Sequence, residues 1–253
     1  MKIVVIGGTG LIGSRVVSAL AEHGHEAVAA SPNSGVNTLT GEGVADALAG
    51  ADVVVDVSNS PSFADDDVMA FFTTSTRTLL HAERAAGVGH HVALSIVGAE
   101  LLPDSGYLRA KVAQERLIAD SGQPYTIVRA TQFYEFAARI ADEATTDGVA
   151  RVSTGFMQPI AAADVSAAVA RAAASAPRNG TLEIGGPEKL PMAEFIRRGL
   201  AARGDSREVV ASADSPYFGT LLHGDELTPG PGAELSTTSF DEWAAAQPAA
   251  TAR

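Results

Sequence analysis

The sequence predicts a doubly wound α/β fold: a parallel sheet with helices on both faces and a small C-terminal lobe. Three observations carry that expectation. Continuous apolar, β-branched runs recur along the first half, among them "KIVVIG" (2–7), "ADVVVDVS" (51–58) and "HVALSIVG" (91–98). Runs without polar alternation are what strands buried on both faces of a parallel sheet look like. Helix-length segments separate the runs, and regular alternation of strand and helix requires crossover connections between parallel strands. Finally, the first run ends in a glycine-rich turn, "GGTGLIG" (7–13), that leads straight into a helical pattern.

Taken in order, residues 2–7 form the first strand and an amphipathic segment from Leu11 to His23 forms the first helix. "HEAVAAS" (25–31) is the second strand, "GEGVADALAG" (41–50) a short helix closed by glycine, and 51–58 the third strand. Residues 65–87 read as a long helix whose first turn holds Asp65, Asp66 and Asp67, placed to suit the positive end of the helix dipole. Strand 91–98, helix 107–121 and strand "YTIVRA" (125–130) follow, and "TQFYEFAARIADEA" (131–144) reads as helix. After about residue 150 the pattern loosens. Short strands ("ARVST", "TLEIGG", "REVVAS") alternate with helices near 163–176 and 191–203, residues 214–238 are loop-rich, and a last short helix around Trp243 precedes a frayed tail, "AQPAATAR". The division expected is a core over 1–150 and a lobe over 151–253, interleaved with the core rather than independent of it.

Composition narrows the function. At 253 residues with 46% hydrophobic content, the chain can bury one large core. A net charge of -12 repels phosphate backbones and anionic membranes, so neither nucleic acid nor membrane is an expected partner. No apolar run approaches the roughly 20 residues that span a bilayer. The opening "MKIVVIGGTG" is too short an apolar stretch for a signal peptide. With no cysteine, disulfides, thiolate catalysis and Cys-ligated zinc are excluded, and the expected location is the cytoplasm. The six histidines include "HGH" and "HH" but have no acidic residues interleaved at ligand spacing, so no metal site is expected. No G-x-S-x-G elbow supports a hydrolase.

The glycine loop carries the first functional signal. Gly7, Gly10 and Gly13 stand at G-x-x-G-x-x-G spacing between the first strand and the first helix, where a dinucleotide fingerprint belongs. The first glycine permits the tight turn, the second lets backbone amides approach a pyrophosphate, and the third lets helix and strand pack closely. The helix N-terminus, with Thr9, Leu11 and Ile12 around it, supplies amides and dipole for the anion. An acidic residue at the tip of the second strand would favour NAD. This chain has Ser31 and Asn33 there, with Arg15 inside the first helix, so NADP(H) is the preferred cofactor and NAD(H) the alternative. Ser58 and Asn59, ending the third strand, are expected on the adenosine side.

"GYLRAK" (106–111) carries the second signal. Tyr107 and Lys111 are i and i+4 and share a helix face. Ser95 lies on the preceding strand. A carbonyl reductase needs such a set: a phenol that protonates oxygen as hydride reaches carbon, an ammonium that lowers the phenol's pKa and holds ribose, and a hydroxyl that orients the substrate oxygen.

At these residues the chain resembles the short-chain dehydrogenase/reductase superfamily, whose order the glycine loop, Ser95, Tyr107 and Lys111 follow. The loop is similar to that of the atypical branch, which includes NmrA-like proteins, isoflavone-reductase-like enzymes and NADPH-dependent quinone reductases. "RATQFYEF" (129–136) and "QPIAAADVSAAV" (158–169) resemble the same branch. The resemblance covers about residues 1–200. It implies a Rossmann-type core and an oxidoreductase acting on a small molecule, with Tyr107 as general acid, as monomer or homodimer. One departure stands out: superfamily members often carry Asn in the long central helix, where this chain has Thr78. The other reading is a non-catalytic NmrA-like redox sensor acting through a protein partner.

Gln132, Phe133 and Phe136, just past a strand's C-terminal end, are the expected substrate residues, with Met157 a weaker one. Tyr217 and Phe218 lie in a loop that can cover a substrate or simply anchor itself.

Overall fold

A computed structural model describes residues 1–247. The frayed tail expected at the C-terminus falls mostly on 248–253, outside the described residues.

The core alternates as expected: β1 (Lys2–Ile6), α1 (Leu11–Glu22), β2 (Glu26–Ala30), α2 (Val44–Leu48), β3 (Val53–Asp56), α3 (Asp65–Ala86), β4 (His90–Ile96), α4 (Gly106–Ala119) and β5 (Tyr125–Ala130). The next stretch is α5 (Ala137–Glu143), β6 (Thr145–Thr146), β7 (Val149–Val152), β8 (Phe156–Met157) and α6 (Ala162–Ala174). The chain closes with β9 (Gly180–Gly185), β10 (Leu190–Pro191), α7 (Met192–Ala201), β11 (Glu208–Ala211), β12 (Glu234–Leu235) and α8 (Phe240–Ala245).

The main sheet has seven strands in the order β12-β9-β5-β4-β3-β1-β2, every neighbouring pair parallel. The β1 run shows why an unbroken apolar strand is needed. Ile3 and Val5 pack towards Ile12, Val16 and Leu20 of α1 and Val165 and Val169 of α6. Val4 and Ile6 turn the other way, onto Val44 and Leu48 of α2 and Leu79 of α3. Each such side chain, fully buried, contributes about 1.5–3 kcal/mol of transfer free energy, so a polar residue on either face would be costly.

One part of the chain differs from expectation. Residues 131–144 are not one helix. Thr131–Phe133 is extended, Tyr134–Phe136 is a single 3-10 turn, and only then does α5 begin. The reason lies in backbone pairing: Thr131 N–H donates to Ile184 O and Tyr134 N–H to Ile160 O, so this segment's donors are taken by neighbouring chain before a helix can use them. Farther along, β9 and β12 belong to the main sheet and α6 covers one of its faces, so the C-terminal half is threaded into the core.

The rest of that half forms the lobe. It holds a small sheet β11-β7-β6, the pair β10-β8, and an aromatic core of Tyr134, Phe195, Phe240 and Trp243. Met157, expected at the substrate, is wholly buried in this core, because β8 pairs with β10 and turns the side chain inward.

Candidate active site

The strand order reverses between β1 and β3, and a cleft of about 620 Å³ opens there, at the C-terminal ends of β1, β3, β4 and β5. Ligands of open α/β sheets bind at such a reversal.

The glycine loop forms one end. Gly7 has φ +78°, and a Cβ there would stand 2.9 Å from the Ser58 backbone. A Cβ on Gly13 would collide with the Gly7 carbonyl oxygen, so Gly13 is what lets α1 close onto β1. Gly7, Thr9, Gly10, Leu11 and Ile12 line the cleft; Gly13 packs behind them. The N-terminus of α1 has no side-chain cap and no acidic residue in its first turn. Its first amides therefore remain available to an anion.

At the β2 tip, Ser31 lines the cleft, and its buried Oγ has no hydrogen-bond partner. Asn33 and Arg15 do not line it. Asn33 is exposed on a 3-10 turn. Arg15 folds back along α1, donating from Nη1 to Leu11 O at 2.7 Å, on the side that faces α6. Asn37 and Thr38 line this end instead. The sequence reading passed over both, since they lie in a loop without regular pattern.

The other end holds Ser95, Tyr107 and Lys111, all of which line the cleft. Ser95 is buried on β4 with its Oγ unpartnered. Tyr107 sits in the first turn of α4, whose N-cap Ser105 accepts from Leu108 N–H. Its hydroxyl donates to Asn59 Oδ1 at 3.2 Å. Asn59, expected on the adenosine side, is thus hydrogen-bonded to the tyrosine. The Asn59 amide is itself fixed, because Oδ1 also accepts from Ser60 N–H at 3.0 Å. Phe63 and Phe218 pack on the Tyr107 ring at 5.2 and 5.6 Å between centroids. Burial pushes the Tyr107 pKa up to about 12, only partly offset by the Asn59 hydrogen bond and the Arg139 charge.

The Lys111 head, expected beside the phenol from the i, i+4 pair, is engaged elsewhere. Its Nζ donates to Leu94 O at 2.9 Å and to Gln114 Oε1, and lies 4.3 Å from the centre of the Phe72 ring. Burial brings its own pKa down to about 8, with Asp56 and Glu115 holding it from falling further. A polar thread continues below: Gln114 Nε2 donates to Asp56 Oδ2 at 3.0 Å, and Ser58 Oγ donates to Asp56 Oδ1 at 2.6 Å. The sequence reading missed Asp56 and Gln114. The signal was present, since Lys111, Gln114 and Glu115 are polar residues on the buried face of α4.

Gln132 is buried against the cleft with Oε1 unpartnered, and Phe133 and Phe136 stack 5.2 Å apart along its wall. Phe218 and Tyr217 line it too. Thr78 does not; its methyl lies beside Gly41. His90 and His91 have structural partners: His91 Nδ1 meets Glu83 Oε1 at 2.7 Å and His90 Nε2 meets Thr126 Oγ1 at 2.9 Å.

The fit to a dinucleotide is therefore specific: a glycine cradle that a Cβ would obstruct, an uncapped helix N-terminus, and the orphaned hydroxyl of Ser31, all in one cleft. Residues 7–176 match a family model described as NAD(P)H-binding. This chain belongs to the NAD(P)H-binding family. Within it, the chain is similar to a (4-alkanoyl-5-oxo-2,5-dihydrofuran-3-yl)methyl phosphate reductase of Streptomyces griseus, 29% identical over 209 residues, which cover 76% of this chain and 70% of that protein. Two solved structures share the fold. An NADPH-dependent quinone oxidoreductase from Escherichia coli, complexed with NADPH, aligns with a TM-score of 0.66 at 21% identity, over 85% of this chain and 79% of that one. MoeE5, in complex with UDP-glucuronic acid and NAD, aligns with a TM-score of 0.76 at 20% identity, over 98% and 97%. The NAD(P)H-binding chain has no helix, among the described residues, long and apolar enough to cross a membrane.

Proposed function

We propose that this NAD(P)H-binding protein is a reductase of a small or medium organic carbonyl, or of a conjugated C=C, C=N or quinone, with Tyr107 as general acid. The observation that carries this is that Ser95 and Tyr107 both line the cleft that the glycine cradle lines. The Ser95 hydroxyl, buried at the cleft without a partner among the described residues, is free to bond a ligand. The similarity to a reductase of a furanone ester supports the same class. No carboxylate lines the β2 end, which favours NADPH over NADH.

The nicotinamide, when bound, supplies the hydride. Ser95 Oγ donates to the substrate oxygen and fixes its direction. With its pKa near 12, Tyr107 is fully protonated at neutral pH. Its hydroxyl rotates from Asn59 Oδ1 onto the substrate oxygen and gives up its proton as negative charge develops there. Solvent then restores the phenol. Lys111, which gives two of its three N–H donors to Leu94 O and Gln114 Oε1, would offer the third to the cofactor.

The test is oxidation of NADPH, then NADH, against ketones, imines and quinones, followed by loss of near-ultraviolet absorbance. Tyr107→Phe is expected to lower turnover by about 10²–10⁴-fold while leaving cofactor affinity unchanged. Cofactor binding with no turnover on any compound would overturn the reductase reading in favour of a nucleotide sensor.

A further inference from the structure

We infer that Arg139 is an anion-recognition residue at the substrate end of the cleft. The substrate class is then an apolar carbonyl or enone compound bearing a carboxylate, sulfonate or phosphate ester. For the reaction this rests on the reductase reading; for binding it stands alone.

Two cations, Lys111 and Arg139, line the cleft among the described residues. Lys111 gives two of its three N–H donors to Leu94 O and Gln114, and the third is already assigned to the cofactor. Arg139, in the first turn of α5, is differently placed. Its guanidinium carbon lies 4.9 Å from the centre of the Phe63 ring, and that ring packs on both Tyr107 and Phe218. The cation is therefore seated on the aromatic wall beside the proton donor, and its field reaches the Tyr107 hydroxyl.

What holds Arg139 there is weak. Nε donates to Glu143 Oε1 at 2.8 Å, one turn along the helix, and the two side chains are 54% and 51% exposed. Exposed pairs of this spacing contribute about 0.3–0.5 kcal/mol, so a ligand can take the guanidinium at little cost. Most of its five N–H donors have no partner among the described residues, and the planar fork they form suits an oxyanion. The surrounding wall is Phe63, Phe71, Phe133, Phe136 and Phe218, which suits a flat apolar body. The chain's net charge of -12 repels anions overall, so any preference for an anionic ligand must come from a local cation.

Two probes of one ring system separate charge from apolar fit: 8-anilinonaphthalene-1-sulfonate and neutral N-phenyl-1-naphthylamine. Both are titrated by fluorescence into the full chain with saturating oxidised cofactor, which confines them to the substrate end. Arg139→Gln is expected to weaken the sulfonate about tenfold and leave the neutral probe unchanged. Arg139→Lys restores part of the loss, and Glu143→Gln tightens the sulfonate by removing the competing carboxylate. Sulfonate affinity unchanged in Arg139→Gln overturns the proposal. So does an equal loss for both probes, which would mark a packing role. Neither readout needs turnover, so failure of the reductase reading leaves this one decidable.

Discussion

Asp56 reaches Lys111 through a single amide, that of Gln114. All three are buried. A buried ammonium is disfavoured by desolvation, and the Lys111 pKa of about 8 follows from that, with Asp56 the first of the groups that resist it. Between about 8 and the ordinary 10.5, the unfolded chain carries a proton here that the folded chain does not, so this group makes stability rise with pH across that window. Asp56→Asn removes the resisting charge. The Lys111 ionisation, read as a limb in the pH profile of cofactor affinity, is expected to move from about 8 towards acid; a limb that stays in place would show that Asp56 does not act on the lysine. Tyr107 shows the same dependence on neighbours. An i, i+4 pair on a helix shows that two side chains share a face, but not that their heads meet, and here the Lys111 head is drawn into the thread that ends at Asp56.

At the scale of an element, the turn Tyr217–Thr220 is informative. Tyr217 N–H donates to Thr220 O and Thr220 N–H to Tyr217 O, closing a tight hairpin. Phe218 takes φ +46° inside it and Gly219 φ +79°. A bulky residue in that region costs about 1–3 kcal/mol, and it is held there with its ring stacked on Tyr107 at 27°. Phe218→Asn suits the backbone better, because Asn tolerates the left-handed region, and it uncovers the phenol. The Tyr107 pKa is then expected to fall from about 12 towards 10, followed by phenolate absorbance against Tyr107→Phe; a titration that does not move would mean that Phe218 is no part of the burial. The helix α4 makes a related point. Its start was legible in "GYLRAK", whereas its Ser105 cap and its buried polar face became meaningful only in the fold, with β3 beneath it.

For the molecule as a whole, the sheet's edge comes from the far end of the chain, since β9 and β12 extend it beyond β5. Burial between these layers also sets the acid response. Burial pushes the His90 pKa down to about 4, with the neighbouring His91 adding to it and a Ser175 backbone contact opposing it. As pH falls from 6.5 towards 4 the unfolded chain takes up this proton first, so His90 lowers stability over that window. His91 acts oppositely. Burial works against its charge, but Glu83 at 2.7 Å outweighs burial and raises its pKa, so its contribution is full below 6.5 and fades as pH rises through the raised value. His90→Gln removes only the first effect. Unfolding by urea at a series of pH values is expected to give a flatter stability curve for the variant between 6.5 and 4 than for the parent; parallel curves would mean that His90 is not the titrating group.

The sequence by itself determined the order of strands and helices through β5, the glycine cradle with its helix N-terminus, and the placing of Tyr107 and Lys111 on one helix face. These are local matters, set by residues within a turn or two of one another, where periodicity and backbone sterics act directly. Only the tertiary structure decided which groups meet: Asn59 on Tyr107 from 48 residues away, Phe218 on the same ring, Arg139 turned into the cleft and Arg15 turned out of it, Met157 in the lobe core, and residues 131–133 paired in place of coiled. The physical reason is common to all of these. A side chain's direction at the end of a strand or in a loop is fixed by whatever the crossover connections bring beside it, and no pattern within the segment records that neighbour.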